Sequence, residues 1–186
     1  MTYTNDYYRT QFSKNISTLR ELTADADHTL LNTMPAPGKW CIGEIVDHLL
    51  ISGGKYLDVL EAKLNNNPDA LKKGSGPYSH PFLMRLFIKM VGPESKRKVP
   101  TIKPFEPHDH NNFDKEGLLN DFESLNTRFI NLVDIADKHQ LDLGEIKVGN
   151  PIYPIWKMSI SGCFAINEAH QRRHLGQIEK ILEARA

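Results

Sequence analysis

Cysteine is nearly absent from this chain. Cys41 and Cys163 are the only two in 186 residues, and without CxxC spacing they build neither a disulfide framework nor a sulfur-rich zinc module. Both are expected as reduced thiols. Net charge is missing too: Lys plus Arg and Asp plus Glu number 23 each, so no global field recruits nucleic acid or an anionic membrane, and neither is expected as a partner. The run Lys96–Lys98 is too short to alter that at zero net charge. No stretch approaches the ~18 apolar residues of a membrane span, and the opening MTYTNDYYRTQFSKN lacks the basic and apolar regions of a signal peptide. The expected location is the cytoplasm. The length suits one domain over residues 1–186, so function is expected in a local site.

What is present is helical periodicity. From Asp6 to Asn32, Tyr8, Phe12, Ile16, Leu19, Leu22, Ala26 and Leu30 recur at the spacing of one helix face. Pro35, Pro37 and Gly38 interrupt it, and the spacing resumes from Cys41 to Leu64 through Ile42, Ile45, Leu49, Tyr56 and Leu60. Residues 65–112 are rich in Asn, Gly, Pro and Lys, with one apolar island, Pro81–Val91, that could make a short helix. Helical period returns over Phe113–Lys138 and Ser159–Ala184. Ile146, Val148, Ile152 and Ile155 fall among Gly149, Pro151 and Pro154, so at most a small hairpin precedes the last helix. The pattern predicts an all-α four-helix bundle with a long crossover of about 48 residues between helices two and three, which lets those two run parallel.

The last helix carries the chemistry. Its apolar stripe includes His174, with His170 one turn earlier at the edge. An i,i+4 pair sets both rings on one side, within reach of a single ion. Alone the pair is weak evidence, since a core-facing imidazole is more often simply hydrogen-bonded. Asn167, Gln171 and Gln177, however, make a polar pocket where a plain bundle places Leu or Ile. His48 flanks the stripe of the second helix together with Ser52 and is the natural third ligand. Glu44, one turn before His48, is the candidate catalytic residue, as a base or as an orienter of the ring, with Asp47 and Glu168 behind it. A solvated surface carboxylate is the commoner role of such a residue. Cys163 reads better as a small apolar residue than as a ligand. His80, His108 and His110 sit in the crossover, where a loop histidine is more often solvated, although the loop could fold over the pocket mouth.

The segment GKWCIGEIVDHL, the crossover VGPESKRKVPTIKPFEP and the C-terminal HQRRHLGQIEKI together resemble the DinB/YfiT-like superfamily over nearly the whole chain. The resemblance implies a divalent metal, zinc or nickel, on His48, His170 and His174. It implies a metal-dependent hydrolase of a small molecule, or a thiol-dependent transferase or isomerase. Where that family often caps the second helix with Ser or Thr, this chain has Cys41, a weaker cap. Three neutral imidazoles leave an ion its double charge and open positions, as in catalytic zinc sites. Such an ion acidifies water for hydrolysis, or activates the thiolate of a low-molecular-weight thiol. Arg172 and Arg173 are available to recognise a carboxylate. A bundle in which the metal only stabilises a binding module is the remaining reading. The resemblance, with the apolar surface of Phe82, Leu83, Leu86, Phe87 and Ile88, also leads to the expectation of a homodimer.

Overall fold

A computed structural model describes residues 2–95, 100–108 and 112–185; Lys96–Lys98 and His110 lie outside the described residues. The chain is mostly helical: α1 (Asn5–Leu22), α2 (His28–Asn32), α3 (Ile42–Leu64), α4 (Phe82–Val91), α5 (Lys115–Lys138) and α6 (Ile160–Glu183). A short antiparallel pair, β1 (Lys147–Gly149) and β2 (Lys157–Ser159), leads into α6, with Lys147 opposite Ser159. No described helix is long and apolar enough to cross a membrane.

The caps explain the boundaries. Thr4, Asp114 and Ser159 each accept a hydrogen bond from a backbone N–H in the first turn of α1, α5 and α6. Cys41 does the same for α3: its Sγ accepts from Glu44 N at 3.4 Å while Glu44 Oε2 accepts from Cys41 N at 2.7 Å, a complete capping box. The expected first helix to Asn32 is two helices instead. α1 stops at Leu22, where Thr23 folds back onto Leu19 O, and Asp27 caps a new helix by accepting from Leu30 N at 2.7 Å. The apolar period crosses this break because Ala26 and Leu31 still turn to the core. The island in the crossover is α4. It buries Met84 and Ile88 against α6 and leaves Phe82, Leu83 and Leu86 exposed.

α1 and α3 each pack against both α5 and α6. Their apolar faces build two clusters, one around Phe12, Leu60, Phe129 and Phe164, the other around Leu19, Ile42, Phe122 and Ile178. Each long helix changes cluster at a buried polar residue. Asn15 lies between Phe12 and Leu19, Ser52 between Leu49 and Tyr56, Asn126 between Phe122 and Phe129, and Gln171 between Ala169 and Leu175. Asn15 Nδ2 donates to Gln171 Oε1 at 2.8 Å across this seam. A polar layer in a core needs partners, and the histidines sit at its level.

Candidate metal centre

His48 comes from the middle of α3, and His170 and His174 from successive turns of α6, which packs beside it. One ring nitrogen from each converges, all within 4.8 Å of one another. His170 Nε2 lies 3.2 Å from His48 Nε2 and 3.0 Å from His174 Nε2. Zinc–nitrogen bonds of about 2.0–2.1 Å at tetrahedral angles place ligand nitrogens roughly 3.3–3.4 Å apart, close to this spacing.

The protonation pattern supports the fit. His48 Nδ1 is 2.6 Å from the carbonyl oxygen of Phe105. A carbonyl only accepts, so Nδ1 carries the proton and Nε2 presents a bare lone pair to its neighbours. A single proton on His170 Nε2 cannot serve His48 and His174 fully at once, whereas a cation satisfies all three nitrogens. Burial, first of all, pushes each ring below the ordinary histidine range, with His174 at about 3. The positive charge of Arg173 adds to this at His170 and His174. All three are thus neutral imidazoles, the form that binds metal. Trp40 covers the group, its ring 5.0 Å from that of His48 and 6.5 Å from that of His174.

Two consecutive residues of α3 also fasten the crossover. His48 holds Phe105, and the Asp47 carboxylate accepts from His108 N at 2.7 Å and from His108 Nδ1 at 2.9 Å. The 100–105 segment therefore becomes one wall of a cavity of about 820 Å³ that opens from the histidines to the surface. Ser52, Tyr56, Asn150 and Asn167 bring polar groups to the cavity; Phe87, Phe105, Tyr153 and Trp156 form aromatic walls.

Of the other residues singled out from sequence, the carboxylates are engaged elsewhere, while several polar ones line the cavity. Glu44 is held in its capping box and borders a smaller neighbouring hollow. Asp47 holds His108. Glu168 is fully buried, accepting from Tyr7 Oη at 2.8 Å and Arg172 Nε at 2.7 Å. Of the two arginines, Arg173 lines the cavity and donates to the carbonyls of Gly92 and Ser95, while Arg172 is committed to Glu168. Gln177 and Asn167 line the cavity, and Gln171 turns to Asn15. Cys163 is buried and its thiol is pushed up to about 12, which makes it unreactive. Sequence reasoning missed the Phe105 carbonyl and the hairpin residues Asn150, Tyr153 and Trp156, because main-chain acceptors and loop placement leave no periodic signal.

His80 is buried against the Tyr3 ring, 4.6 Å away, and burial pushes it from 6.5 down to about 4. Between those values the unfolded chain binds more protons than the folded one, so stability rises with pH up to 6.5 and is lost as pH falls towards 4. The site histidines add to the slope in the same direction. In metal-free protein, denaturant unfolding of His80→Leu should show a shallower loss across this window than wild type. An identical slope would contradict the assignment.

A family model described as the DinB superfamily matches residues 11–178. No curated protein and no solved structure matches the chain.

Proposed function

The chain belongs to the DinB superfamily, and on that premise we propose that it is a metal-dependent enzyme acting on a small molecule, with zinc or nickel held by His48, His170 and His174. The observation that carries this is the convergence of three neutral ring nitrogens at the wall of an open cavity. An ion held there would supply Lewis-acid chemistry to whatever occupies its remaining positions. The residues do the rest. The Phe105 carbonyl fixes the His48 tautomer so that Nε2 faces the group. Arg173 keeps the local field positive, and Trp40 and Phe105 limit access of water.

Of the chemistries open to such a site, thiol transfer fits better than hydrolysis. Among the described residues that line the cavity none is Asp or Glu, and Glu44, the first candidate for a base, is occupied at its helix cap. A thiolate needs a positive field and no general base. With cobalt in place of the native metal, a low-molecular-weight thiol should produce an intense sulfur-to-metal charge-transfer band. The band should be absent from folded His48→Ala, His170→Ala and His174→Ala variants. A fully loaded wild-type protein that gives no band with any of several thiols would leave hydrolysis as the enzymatic reading. A spectrum indifferent to every ligand would mean a closed structural site.

The four long helices are read as a four-helix bundle forming one domain, with α4 as the surface that joins two copies. Phe82, Leu83 and Leu86 stand 68%, 73% and 55% exposed there. Light scattering at micromolar concentration should return twice the chain mass; 21.2 kDa would rule the dimer out.

A further inference from the structure

The cavity around the histidines is one-sided in charge although the chain is not. Lys and Arg balance Asp and Glu over the sequence. The cavity lining nevertheless includes Lys39, Arg173 and Lys180 and, among the described residues, no acid at all. These cations are spread along it. Arg173 is half-buried beside the histidines, whereas Lys39 and Lys180 are exposed where the cavity opens. Between them the surface is apolar and aromatic: Trp40, Ile45, Phe87, Phe105, Trp156 and Ile166. A hollow of this size takes a drug-sized molecule. Its walls favour a hydrocarbon or aromatic body over a sugar or a peptide backbone, whose polar groups would lose water without finding partners.

The geometry points to an amphipathic organic anion as the substrate, its apolar body between Trp40, Phe105 and Trp156 and its anionic end at Lys39 and Lys180. This rests on the cavity being the substrate site of the enzyme proposed above. The orientation follows from desolvation. The two lysines are exposed and keep a bound carboxylate or sulfonate partly hydrated, while Ile45 and Ile166 in the apolar wall are buried, so each half of the ligand meets the surroundings that cost it least.

The molecule carries its own reporter, because Trp40 and Trp156 are its only tryptophans and both line the cavity. Tryptophan emission is followed while protein, with and without chelator, is titrated with 1-octanesulfonate, 1-octanol, octyltrimethylammonium and methanesulfonate. Octanesulfonate should bind saturably and about tenfold more tightly than octanol, the gain that two partly hydrated ion contacts supply. Octyltrimethylammonium should bind more weakly than octanol, and methanesulfonate should give no change at the same concentrations. In the Lys39→Glu/Lys180→Glu variant, shown by circular dichroism to be folded, the advantage of octanesulfonate over octanol should disappear while octanol binding stays within about twofold, since exposed charges leave the apolar contacts intact.

The proposal is overturned if octanol or the cation binds as tightly as octanesulfonate, if methanesulfonate binds as well as octanesulfonate, if the variant keeps the full preference, or if no ligand saturates. A sulfonate is a poor metal ligand and the chelated sample contains no metal. The titration can therefore fail in a protein that binds metal, and metal binding can fail in a protein that passes it.

Discussion

Saturating zinc should raise the melting temperature of the wild-type protein by about 8–16 °C, since free ligand at ~1,000 times its dissociation constant stabilises by about 4.1 kcal/mol and each kcal/mol moves a domain of this size by roughly 2–4 °C. The same zinc should leave His48→Ala, His170→Ala and His174→Ala nearly unmoved. His48 is on α3 and the other two are on α6, so the ion ties together two helices that pack side by side. Loss of one of three ligands should weaken binding by more than ~100-fold, since loss of an outer partner alone costs about 10–100-fold. Calorimetric scans with and without zinc check this. Equal shifts in wild type and all three variants would mean that the ion binds elsewhere.

The second large effect lies on the opposite side of α6. Arg172→Leu should destabilise the protein by about 3–5 kcal/mol, because it strips the charge partner from a carboxylate that has no access to water. Glu168 is fully buried, bonded to Tyr7 Oη and to the Arg172 guanidinium. Replacing both partners, as in Glu168→Met/Arg172→Leu, should recover much of that loss, since an apolar pair avoids the desolvation of the ions. Neither variant should alter zinc affinity by more than about twofold, as sites without shared partners act nearly independently. Denaturant unfolding and a zinc titration measure both. A variant of normal stability with impaired zinc binding would return Glu168 to the site.

Much of this was legible from residue spacing. The i,i+4 histidines on α6 and the lone His48 on α3 stood out because they put polar rings inside or beside otherwise regular apolar stripes. The four long helices, the short helix in the crossover and the hairpin before α6 follow from the same periods. The break after Leu22 was hidden because Leu19 before it and Ala26 and Leu31 after it all face the core, and only the Asp27 cap marks the restart. Glu44 drew attention by its place one turn from His48. Its position three residues after Cys41 decides its role, and the sulfur cap closes the box as a hydroxyl would. The cavity itself was not legible, because it is assembled from Phe105 in the crossover, Trp156 in the hairpin and Trp40 before α3. The crossover is fastened to α3 by the His48–Phe105 hydrogen bond and the hairpin turn is shaped by Asn150 N donating to Trp156 O, neither of which any spacing encodes.

The most direct test of the three-histidine centre is elemental analysis of protein purified without chelator and reloaded with zinc or nickel. The account predicts close to one ion per chain, most of it lost in His174→Ala. Wild-type protein that binds no ion, or a His48→Ala/His170→Ala/His174→Ala variant that retains the same ion content, would contradict it.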